Sequence, residues 1–214
     1  MASFFLRPSR RARNPFQRPI SSFFVHEPPR SAPRMVPTPL VFVSATQWDS
    51  SSSRQGFTTL SKMYSDKGYT CLDADLVLHS EASPLTVLQH LESELGSIVR
   101  ASFNVFSPVF FARGAACLIT QAYVSSNPAS GLVLVSPPAS NSALPASMLS
   151  RALPEFNFEP NFPIAIVDTP QGMANLRAEN RLAQDNRVDT IQVNDVEGQD
   201  AFVKIEQWMD EIGI

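Results

Sequence analysis

The stretch Pro108-Val-Phe-Phe-Ala-Arg-Gly-Ala-Ala-Cys-Leu-Ile-Thr-Gln-Ala-Tyr123 decides how the rest of the chain is read. Val109 to Ala112 is a short apolar run of the length of a buried strand. Arg113-Gly114 interrupts it, and Leu118, Ile119 and Ala122 then recur at helical spacing, so a strand passes into a helix through a turn of small residues. Glycine is suited to such a turn because it has no Cβ to resist a left-handed backbone.

Working outward, the same alternation repeats on both sides. Upstream, Leu40 to Val43 reads as a strand. Phe57, Leu60 and Tyr64 mark one face of a helix that Gly68 would end, and Tyr69 to Leu72 is a second strand. Leu85, Leu88, Leu91, Leu95 and Ile98 follow Ser83-Pro84 as the buried face of another helix. Downstream, Gly131 to Ser136, Ile164 to Asp168 and Asp189 to Val193 read as strands. Met173 to Gln184 and Ala201 to Ile212 read as helices, and Ala139 to Pro160 as a loop with room for a short helix at Ala146 to Ala152. The expected fold is α/β, with an open, mostly parallel six-stranded sheet flanked by helices.

Charge divides the 214 residues in two. Residues 1–35 hold seven arginines and one acid, Glu27, for a net +6, while residues 36–214 net −9. The basic segment, with Phe4 to Leu6 ahead of Arg7, Arg10, Arg11 and Arg13, has the composition of an organelle transit peptide or a disordered arm. The expected domains are therefore 1–35 as that arm and 36–214 as the folded body, with import into the mitochondrial matrix and cleavage between about Arg18 and Arg34. An acidic body disfavours nucleic acid as partner. Residues 114–150 carry no charge, but Ser125, Asn127, Pro128, Pro137, Pro138 and Pro145 divide them into pieces too short to span a bilayer. Two cysteines and three histidines, without ligand spacing, give no reason to expect a metal or another cofactor.

The order of these elements over Pro37 to Ile214 resembles the α/β-hydrolase fold superfamily. Gly68 to Leu72 leading to Asp75-Leu76-Val77-Leu78-His79-Ser80 is similar to that family's strand and D-L-x-G-H-G turn. Pro108 to Tyr123 resembles its nucleophile elbow, and Pro163 to Asp168 the strand that delivers the acid. The resemblance implies a Ser, Asp/Glu and His triad in that chain order. Aligned by Gln121-Ala122-Tyr123, the elbow G-x-S-x-G falls on Ala112, Arg113, Gly114, Ala115 and Ala116, so the nucleophile position is glycine.

The base fails separately. His26, His79 and His90 all precede the elbow, and the loop where the family keeps its histidine reads Asn194-Asp-Val-Glu-Gly198. Carboxylates are weak bases at neutral pH. Asp168 is the remnant of the acid position. The resemblance thus implies a degenerate member, a pseudoenzyme without cofactor, acting as scaffold, assembly factor or complex subunit through a protein partner. Two alternatives stand beside it. One is a small serine hydrolase, of esterase or thioesterase type, with a relocated nucleophile among Ser44, Ser107 and Ser136. The other is a binding module for a small acyl or carboxylate ligand, using the turn at Ser44 to Thr46, Arg113, the Ala115 N–H and His79, the last able to pair with Asp75. Cys71 and Cys117 read as core residues.

Overall fold

The computed structural model describes residues 21–46, 52–77, 84–102, 106–143 and 155–214. Its sheet has seven strands in the order β1-β3-β2-β4-β5-β6-β7: β1 Ser22–His26, β2 Val36–Ser44, β3 Tyr69–Asp75, β4 Val109–Arg113, β5 Gly131–Val135, β6 Ile164–Asp168 and β7 Asp189–Gln192. Every neighbouring pair is parallel except β1 with β3. The helices are α1 Ser52–Asp66, α2 Pro84–Ser102, α3 Ala116–Val124, α4 Pro170–Glu179 and α5 Gln199–Glu211.

The central strands are apolar on both faces because both faces are covered. On one side Val41, Val43, Phe110, Ala112, Leu132 and Leu134 pack against α2, α3 and α4. On the other Leu40, Phe42, Phe111, Val133 and Val167 pack against α1 and α5, whose Phe57, Leu60, Tyr64, Phe202, Ile205 and Trp208 point inward. This is why β5 and β6 are buried at all five positions rather than alternating. An aromatic cluster closes the second layer: Phe42 stacks on Phe111 with ring centres 4.6 Å apart, and Tyr64 meets Phe202 at 4.6 Å.

Two expectations need correction. The sheet has a seventh strand, and it comes from the segment assigned to the arm. Ser22–His26 pairs antiparallel with β3 from Ser22 opposite Asp75 to His26 opposite Cys71. The ring Nε2 of His26 lies 3.1 Å from Asp73 Oδ2, and Val25 packs against the core on the opposite face. Arg34 donates to the Tyr69 hydroxyl at 2.8 Å and to Asp210 at 3.2 Å. The fold therefore begins well before residue 36. Arginine and proline dominate the composition of residues 1–35 and outweigh a strand whose own residues, Ser-Phe-Phe-Val-His, include the aromatic and β-branched side chains that strands favour.

The second concerns α4, which runs Pro170–Glu179 rather than 173–184. Thr169 is its N-cap, accepting from Gly172 N–H at 3.2 Å, with Pro170 at the first helical position. Asn180 ends it, its side-chain oxygen accepting from the N–H groups of Leu182 and Ala183. The short helix expected at Ala146 to Ala152 lies outside the described residues.

Candidate functional site

Parallel strands deliver their carboxyl ends to one edge, where loops can converge. Here that edge gathers Ser44 at the end of β2, Asp75 at the end of β3, Arg113 at the end of β4 with Gly114 just beyond it, Ser136 after β5, Asp168 at the end of β6 and the loop 193–198 after β7.

The strand-to-helix turn has the expected form. Gly114 sits at φ +54°, its N–H donating to Val135 O at 3.1 Å and its carbonyl accepting from Cys117 N–H at 3.1 Å. Ala112, Ala115 and Ala116 are buried beside it. A side chain at this φ costs about 1–2 kcal/mol. Gly114→Ser should accordingly lower unfolding free energy by about that amount, read by urea titration, while placing a hydroxyl in the turn.

Arg113 is paired. Its Nη1 contacts Glu197 Oε1, joining the turn after β4 to the loop after β7 across 84 positions of sequence. The Arg113 side chain is 20% exposed and that of Glu197 37%. Glu197 also lies against α1: a Cβ added at Gly56 would come within 2.8 Å of its carboxyl carbon. Asp195 holds the loop, accepting from the Glu197 N–H at 3.0 Å. Glu197 thus brings a carboxylate from the loop after β7 to the turn after β4.

The turn expected to present backbone donors is already bonded. Thr46 donates its N–H to Asp75 Oδ1 at 3.0 Å and its hydroxyl to the same oxygen at 2.8 Å, and Ser44 adds a third bond at 3.1 Å. Arg54 takes the other oxygen at 3.2 Å. Asp75 closes the turn against β3, and Ser44 and Thr46 brace it there. His79, expected beside Asp75, lies outside the described residues. Ala115 is buried at 3% exposure, and its carbonyl accepts from Leu118 N–H.

Asp168 is buried and turned toward its own helix. Its Oδ1 accepts from Thr169 N–H at 2.7 Å and from the Ser136 hydroxyl at 3.1 Å. A Cβ at Gly172 would fall 2.4 Å from the carboxylate, so the aspartate lies directly over the first turn of α4. Ser136 is the one non-glycine residue at positive φ among those described, +45°. Of the histidines, His26 is bound to Asp73 three strands from β4, and His90 is exposed on α2.

Both cysteines are buried. Desolvation pushes the Cys71 thiol far up, so it stays protonated at neutral pH. Cys117 faces the Val135 carbonyl at 3.9 Å. Among the described residues no group of three or more His, Cys, Asp or Glu could hold a metal ion, and no helix is long and apolar enough to cross a membrane.

Sequence reading placed Arg113, Gly114 and Asp168 on this edge and missed the role of Glu197. The opposite charges were visible, but only the strand order brings residues 113 and 197 together. Ser136 carried no local signal for its left-handed backbone.

The architecture and the elbow-like turn define the α/β-hydrolase fold. Structural similarity agrees. An α/β-hydrolase enzyme from a metagenome of lagoon sediments at Mar Chica, Morocco, superposes with a TM-score of 0.61 at 12% identity, covering 92% of this chain and 98% of that one. A thermophilic esterase from Thermogutta terrifontis, with malate bound, gives 0.66 at 11% identity, covering 91% and 94%. A soluble variant of monoglyceride lipase from Saccharomyces cerevisiae, in complex with a substrate analog, gives 0.58 at 11%, covering 90% and 92%. No family model and no curated protein matches the sequence.

Proposed function

We propose that this chain is a noncatalytic protein of α/β-hydrolase fold, working in the mitochondrial matrix as a scaffold, assembly factor or complex subunit. The observation that carries the reading is the Arg113–Glu197 pair. Hydrolysis on this fold needs a hydroxyl on the elbow and an imidazole on the last loop. Here the elbow offers Gly114, and the loop offers a carboxylate already engaged by the elbow's own arginine. Among the described residues no imidazole is bonded to Asp168, whose Oδ1 accepts from Ser136 and Thr169.

The Arg-rich stretch upstream of β1 supports the mitochondrial assignment by composition. The test is native electrophoresis of organelle extract, with ester turnover measured in parallel. The proposed role requires the chain to migrate with a larger mitochondrial assembly and the purified protein to hydrolyse p-nitrophenyl butyrate no faster than buffer. Saturable turnover by a free monomer contradicts it.

One observation favours a second reading, a hydrolase with a relocated nucleophile. Ser136 is held at φ +45° with its hydroxyl 3.1 Å from Asp168, and strained backbone gathers at working sites. Under that reading Ser136→Ala abolishes the turnover. The malate-bound Thermogutta terrifontis neighbour supports small carboxylates as the ligand class if the fold is used here for binding alone.

A further inference from the structure

The Arg113–Glu197 contact has the features of a site with its ligand attached. Arg113 is four-fifths covered and projects from a rigid strand end, whereas Glu197 is the more exposed partner and comes from a loop. Guanidinium is suited to carboxylate because its N–H groups match the two oxygens and it stays charged at every physiological pH. The space the carboxylate fills exists because residue 56 is glycine: any side chain there would begin 2.8 to 2.9 Å from atoms of the Glu197 carboxyl group. The room, the cation and the anion come from three different elements, α1, β4 and the β7–α5 loop.

We propose that Arg113 and the space over Gly56 form a carboxylate-binding site that Glu197 occupies in cis, and that a small free monocarboxylate displaces it. The chemical class follows from the occupant. Beyond its Cβ, glutamate ends in CH2–COO−, so with that carbon it presents a propionate group, and propionate is the smallest free molecule that reproduces it. A tethered carboxylate competes as if present at millimolar or higher local concentration, so the native chain should bind propionate weakly and a chain lacking the tether should bind it well. The inference goes beyond the noncatalytic reading, because binding at Arg113 requires no nucleophile.

Chemical rescue tests it. Full-length wild type, Glu197→Ala and the double variant Arg113→Met with Glu197→Ala are melted in 20 mM sodium propionate and in sodium chloride of equal ionic strength. Propionate should raise the Tm of Glu197→Ala by about 3 °C, the shift expected when ligand stands near ten times its Kd, and move wild type and the double variant by less than about 0.5 °C. Equal shifts in the single and double variants, or none in either, overturn the proposal. If Glu197→Ala melts without cooperativity, Glu197→Gln replaces it in NMR titration. There, saturable shifts of the Gly56 amide with at least ten-fold tighter propionate binding than wild type are required, and equal affinities refute it. Ester turnover is recorded on the same samples, so failure here leaves the noncatalytic reading to stand or fall on its own measurement.

Discussion

Gly68→Ala should destabilise the protein by about 3–5 kcal/mol, enough to remove a large share of a typical domain's stability. Gly68 ends α1 at φ +109°, a conformation an L side chain rarely adopts, and that alone costs about 1–2 kcal/mol. The larger part is steric. A Cβ there would lie 1.9 Å from the Arg34 carbonyl oxygen and 2.7 Å from its carbon, and these are main-chain atoms that cannot rotate away. Nor can the chain shift freely. The Gly68 carbonyl accepts from Val36 N–H at 2.9 Å, and Gly68 N–H donates to Ser65 O at 3.0 Å. Arg34 is itself held by Tyr69 and Asp210. Urea unfolding of the two proteins at equal m-value measures the difference. A loss below about 1 kcal/mol would mean that β2 enters the sheet by another path.

The second large effect concerns the amino-terminal segment. Deleting residues 1–34 should abolish cooperative unfolding or lower stability by more than about 5 kcal/mol, whereas deleting residues 1–20, which leaves β1 in place, should cost less. The longer deletion removes β1 and leaves the outer edge of β3 unpaired. It also strips Asp73 of His26. Burial already pushes that carboxyl's pKa up, against the pull of Ser61, His26 and Thr58. The bonds from Ser65 to the Glu27 carbonyl and from Val77 N–H to the Ser21 hydroxyl go with it. All of these contacts are made from residue 21 onward. If a presequence is removed in the mitochondrion, a cut near Arg18 spares the sheet and one at Arg34 destroys its edge. Circular dichroism melts of the two truncations distinguish these outcomes.

The fold was legible wherever a segment's burial depended on its own residues. Leu40 to Val43, Val109 to Ala112 and Gly131 to Val135 are apolar at every position because both faces of the sheet are covered, and no alternative short element suits them. Phe57, Leu60 and Tyr64 showed the buried face of α1 for the same reason. Ser22–His26 was lost because composition was averaged over a window longer than the strand. The start of α4 was lost because Thr169-Pro170 follows Asp168 immediately, and the apolar residues Met173 and Leu176 come later.

The site was only half legible. Gly114 could be placed because the turn is a local pattern. Its neighbours could not, since Arg113 meets Glu197 through strand order, and Ser44 and Thr46 meet Asp75 through a parallel register that pairs Ser44 with Asp75. Local pattern announced a turn with available donors. Long-range pairing assigned those donors to a partner within the chain.

If the chain is noncatalytic, as proposed, the turn after β4 carries no working nucleophile. Intact-mass spectrometry of the full-length protein after incubation with an alkyl fluorophosphonate tests it most directly. A single unmodified mass is expected after hours of exposure, in wild type and in Gly114→Ser alike, because among the described residues no imidazole is placed to activate a hydroxyl at 114. A stoichiometric phosphonyl adduct on wild type, mapped to one serine and lost when that serine becomes alanine, contradicts it.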